Sequence, residues 1–100
     1  MRRLAAALLL ILAATAAPAE TIRIATFNTE LSRDGPGLLL RDIERREDPQ
    51  IAAVVEVIAE AQPDILALQG IDWDYEGQAI AALVKKLAEA GAPYPYLVSL

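Results

Sequence analysis

The chain has 100 residues, 55% of them hydrophobic, with no cysteine, no histidine and a formal net charge of -5. That length allows one domain at most, and the missing thiols exclude disulfides and thiolate metal sites, so stability rests on packing and any cation must find oxygen ligands. The acidic balance argues against nonspecific binding to nucleic acid or an anionic membrane surface, yet a carboxylate-bound divalent cation would reverse the charge that a phosphate meets.

Residues 1–19 are expected to be a cleavable signal peptide. Arg2 and Arg3 give a positive start, residues 4–14 are unbroken apolar sequence, and Ala17-Pro18-Ala19 supplies the small-x-small pattern of a cleavage site, which places the cut after Ala19. An apolar helix of roughly 11 residues rises about 16 Å, against a hydrocarbon core of about 30 Å, so this stretch is too short to serve as a membrane anchor. Loss of Arg2 and Arg3 takes the mature segment from -5 to -7. The product is expected to be exported, to the periplasm or beyond, without a membrane span.

Residues 21–28, TIRIATFN, alternate in the manner of a strand, with Ile22, Ile24, Thr26 and Asn28 on one side and Arg23, Ala25 and Phe27 on the other. Gly35-Pro36-Gly37 marks a loop. Residues 38–48 are half apolar and half charged and predict a short helical turn, the mixed-sign run RDIERRED forming a solvated face; the other use open to Arg41 or Arg45 is to meet a phosphate. Asp48 then stands ready as a cap with Pro49 in the first helical position, and Ile51, Val54, Val55, Ile58 and Ala59 recur at helical spacing, so a helix is expected over residues 49–61.

Pro63-Asp64 ends that helix, and residues 65–68, ILAL, form the short apolar run expected of a strand buried on both faces. Ile80, Leu83, Val84, Leu87 and Ala88 predict a further helix closed by Gly91. After Pro93 and Pro95, residues 96–100 read as a third strand entering a core. The order β-α-β-α-β makes the chain α/β or α+β, with sequential strands joined by helical crossovers. Two amphipathic helices cover one side of such a sheet, and 81 mature residues do not supply an obvious second layer, so the segment is expected to be part of a larger fold.

Chemistry is expected at the carboxyl ends of the strands, where ligands collect in open α/β sheets. Asn28 ends the first strand; its amide can meet a cation or a phosphate oxygen, or simply start the following turn. Gln69, Gly70, Asp72, Asp74 and Glu76 follow the second strand and arrive at the same edge if the strands are parallel neighbours. The alternating carboxylates can hold Mg²⁺ or Ca²⁺; alternation equally suits a solvated loop with Trp73 and Tyr75 packed inward.

The constellation IRIATFN, then a helix, then PDILALQ resembles the opening of the endonuclease/exonuclease/phosphatase superfamily, the metal-dependent phosphoesterases similar to DNase I. The resemblance implies the N-terminal portion, residues 20–100, of a four-layer αββα sandwich in which two packed sheets are flanked by helices, with Asn28 matching the asparagine that ends the family's first strand. It implies hydrolysis of a phosphodiester or phosphomonoester, on nucleic acid or a small molecule, by water activated at Mg²⁺ or another divalent cation. The family's principal metal ligand is a glutamate at the position held here by Gly70; the following IDWDYEG resembles a stretch of exported bacterial members, and Asp72 or Asp74 is the carboxylate left to substitute. The metal set implied is thus Asn28, Asp72 and Asp74. The family's catalytic histidines have no counterpart in this chain, which implies that the segment alone is inactive, and the alternative use is a non-catalytic exported binding protein that has lost its metal glutamate.

Overall fold

The computed structural model describes residues 20–99; the expected signal peptide and Leu100 lie outside the described residues. In chain order the elements are β1 (Ile24–Asn28), α1 (Leu38–Arg45), α2 (Pro49–Ala61), β2 (Ile65–Gln69), a single 3-10 turn (Tyr75–Gly77) and α3 (Gln78–Glu89). The described residues are mixed α/β, three helices with a two-stranded parallel sheet. Ile24 lies opposite Ile65 and Asn28 opposite Gln69.

Strand β1 begins later than its alternation suggests because Arg23 is already committed. Its amide donates to Asp64 Oδ2 at 2.8 Å, its guanidinium donates to the Ala61 carbonyl at 3.0 Å, and its carbonyl accepts from the amides of Asp64 and Ile65. This clamp joins the entry of β1 to the end of α2 and sets the register from which the ladder runs.

Helix α1 is a full helix of eight residues rather than a short turn, since Leu39 and Ile43, four apart, both reach the core. Helix α2 starts where the sequence signals it. Asp48 accepts from the amides of Gln50 at 2.8 Å and Ile51 at 3.1 Å, and Pro49 occupies a position whose missing N–H costs nothing. Helix α3 buries Ala79, Leu83 and Leu87, and past its end Gly91 adopts φ +92°, allowing the Ala92 amide to reach the Leu87 carbonyl at 2.8 Å.

The apolar stripes of the three helices meet in one core, against which Phe27, Leu66 and Leu68 pack from one face of the sheet. The opposite face, with Ile24, Thr26, Asn28, Ile65, Ala67 and Gln69, is exposed. Strand β2, expected to be buried on both faces, is therefore covered on one, and Ile65 is 56% exposed. No described element crosses to the other side.

The expected third strand is also corrected: residues 96–99 are not in a strand. Pro93 and Pro95 remove two amide donors where pairing would begin. The Tyr94 hydroxyl, its pKa raised by burial and then by the nearby Asp64 carboxylate, donates instead to the Pro63 carbonyl at 2.7 Å. That anchor holds the chain beside β2 without ladder bonds, leaving Tyr96 and Val98 in solvent. No helix among the described residues is long and apolar enough to cross a membrane.

Candidate functional site

The parallel register brings the ends of both motifs to one edge of the sheet, with Asn28 beside Gln69. Pairing continues beyond the strands: the amides of Thr29 and Leu31 donate to the carbonyls of Gln69 at 2.9 Å and Gly70 at 2.7 Å. Thr29, 4% exposed, directs its hydroxyl to the same Gln69 carbonyl at 3.0 Å, so its buried oxygen is satisfied. The Thr26 hydroxyl donates to Gln69 Oε1 at 3.2 Å on the exposed face.

Asn28 takes the turn-forming role open to it, its Oδ1 accepting from the Glu30 amide at 3.3 Å, two residues on. Gly70 fits against this turn. Its φ of +72° lies in the left-handed region, and a Cβ built there would stand 2.5 Å from Asn28 Oδ1 and 2.8 Å from the Glu30 nitrogen. Both restrictions act on one position: because one of the clashing atoms is backbone, a side chain there needs a different backbone as well as a displaced Asn28.

Asp72 and Asp74 also engage the backbone. Asp72 Oδ2 accepts from the Arg33 amide at 2.7 Å, tying the loop after β1 to the loop after β2. Both oxygens of Asp74 lie 3.0 Å from the Ala79 amide, near the start of α3, where a free N–H and the helix dipole favour a carboxylate. Together they line a groove of about 600 Å³ with Arg33, Asp34, Trp73 and Tyr75; Asn28 is not among its walls. The aromatic pair does not pack inward, Trp73 being 65% and Tyr75 80% exposed. No three Asp, Glu, Cys or His side chains among the described residues gather at metal-binding distances. Asn28 at the sheet edge and the two aspartates of the following loop are thus each engaged with a backbone amide, and they do not share one groove.

Arg33, which composition and periodicity do not single out, organises the surroundings. Its Nε donates to Asp42 Oδ2 and its Nη2 to Asp48 Oδ2, each at 3.0 Å, and its Nη1 donates to the Leu31 carbonyl at 3.1 Å. The hydrogen bond with Asp42 is the first cause holding the guanidinium pKa above its ordinary value, and the same bond lowers the Asp42 carboxyl. The mixed-sign run is thus only partly a solvated face: Asp42 and Asp48 turn inward to Arg33, and Arg46 reaches Glu89 at 3.2 Å. Arg41 lies on Asp42 at 3.1 Å.

No protein-family model matches the chain, and no curated protein or solved structure does so.

Proposed function

We propose that this chain supplies the opening portion of an exported metal-dependent phosphoesterase domain of the endonuclease/exonuclease/phosphatase type, hydrolysing phosphate esters with water activated by a divalent cation. The observation that carries the reading is the pairing of Asn28 with Gln69, which sets the ends of IRIATFN and PDILALQ side by side at the carboxyl edge of a parallel sheet. A bound cation would lower the pKa of its water and offset the charge of the phosphate. On this reading Asn28 presents its amide to the cation or a phosphate oxygen, and Asp72 and Asp74 are the carboxylates of the loop after β2 that would join it. The chain has no histidine, so proton transfer is assigned to residues outside it, and the segment alone is expected to turn over no substrate.

Calorimetric titration with MgCl₂ tests the metal. Stoichiometric binding lost in Asn28→Ala supports the reading; absence of binding counts against it. One observation favours a second reading, a non-catalytic exported domain used to bind a partner: the left-handed Gly70 backbone and its close approach to Asn28 leave no room for a glutamate. That reading expects no Mg²⁺ heat in the wild type and no gain in Gly70→Glu.

A further inference from the structure

A second groove lies on the helical side, away from the exposed sheet face. It has a volume of about 650 Å³ and runs between α2 and α3, with the end of α1 closing one side. Ile51, Ala52, Val55 and Ala59 line it from α2. These positions recur at i, i+1, i+4 and i+8, one stripe of the helix, and span about 12 Å at 1.5 Å per residue, or two turns of a docked helix. Val55 is only half-buried and Ala52 is exposed, so the stripe continues beyond what α3 covers.

Two unpaired carboxylates flank the floor. Glu56 and Glu60, one turn apart on α2, share one side, whereas Asp42 and Asp48 are held by Arg33 and Glu89 by Arg46, and Lys86 lies on the α3 wall. Glu56 and Glu60 make no ion pair among the described residues. An apolar floor beside the unpaired Glu56 and Glu60 favours a cationic partner over a second copy of this acidic chain.

We propose that this groove docks a cationic amphipathic helix of a partner protein, its apolar stripe on Ala52, Val55 and Ala59 and its Lys or Arg side chains against Glu56 and Glu60. Helix-in-groove binding takes affinity from the buried apolar anchors and orientation from the flanking charges. The surface is separate from the sheet edge and goes beyond the phosphoesterase reading.

The probe is a fluorescein-labelled peptide of about 14 residues, Leu and Ala at i, i+3, i+4 and i+7 with Lys elsewhere; the control has the same composition scrambled to remove the stripe. Anisotropy titrations against the full chain are expected to saturate with the patterned peptide and to weaken by about tenfold or more in Glu56→Lys/Glu60→Lys and with the scrambled peptide. Both glutamates are exposed, and circular dichroism of the variant verifies that its helices persist. Equal binding of both peptides, unchanged binding by the variant, or no binding at all overturns the proposal. So does a loss confined to Ile24→Lys on the sheet face. Sedimentation equilibrium supplies the remaining alternative: a wild-type dimer dissociated by the glutamate substitutions would assign the groove to a second copy and overturn the peptide.

Discussion

Gly70 concentrates two constraints in one residue, a left-handed φ and an approach to Asn28 Oδ1 that a Cβ cannot share. Gly70→Ala is expected to cost about 1–3 kcal/mol, read as a lower urea midpoint at unchanged m-value. Gly70→Glu should cost at least as much while adding the carboxylate that the family resemblance calls for, so stability and Mg²⁺ affinity test different aspects of the position. The Arg33 pairings give a second expectation. The Asp42 carboxyl titrates below its ordinary 3.8 chiefly because Arg33 donates to it. A depressed folded pKa contributes stability above the unfolded value and loses it as pH falls through the folded one. The thermal midpoint of the wild type should therefore exceed that of Asp42→Asn by a constant margin above about pH 5, and the margin should close below about pH 3.8. The turn-starting role of Asn28 was legible because it ends an alternating strand just before the chain bends. Arg33 was not, because its partners stand 9 and 15 residues away and nothing local announces that a loop will fold back over α1 and the cap of α2.

At the scale of elements, the strongest signals were the ones whose physics is local. Asp48-Pro49 marks the start of α2 because a side-chain oxygen and a missing N–H both answer the free amides of a first turn, and the structure begins the helix there. Asp48→Ala is expected to destabilise the fold by about 1–2 kcal/mol in urea, whereas Asp48→Asn keeps a good cap and should lose less. The spacing that defined α3 likewise identifies its core: Leu83 has no exposed surface, and Leu83→Ala should cost about 2–5 kcal/mol, depending on how far the three helices collapse around the void. Strands were harder. A run such as ILAL is apolar on both sides and so predicts burial on both, and only the placement of the three described helices on one face shows that Ile65 stays in solvent. Pairing of residues 96–99 was expected from their apolar character alone, and apolar character does not supply the amides that Pro93 and Pro95 lack.

For the whole molecule, the asymmetry of the sheet is the dominant fact. Helices α1, α2 and α3 share a core on one face, while Ile22, Ile24 and Ile65 remain exposed on or beside the other. An apolar patch of this kind is worth about 25 cal/mol per Å² when covered, and it contributes nothing to stability while it faces water. Two consequences separate cleanly in one experiment. Replacing Ile24 and Ile65 by Thr keeps β-branched residues in the strands and leaves the helical core untouched, so the unfolding midpoint should move little, by about 0.5 kcal/mol or less per site. The same double substitution should sharply reduce 1-anilinonaphthalene-8-sulfonate fluorescence and slow aggregation at high concentration, because both report the uncovered face. A large fall in stability would instead mean that the face is already buried against something in solution, and the sheet would then have to be counted as part of the core.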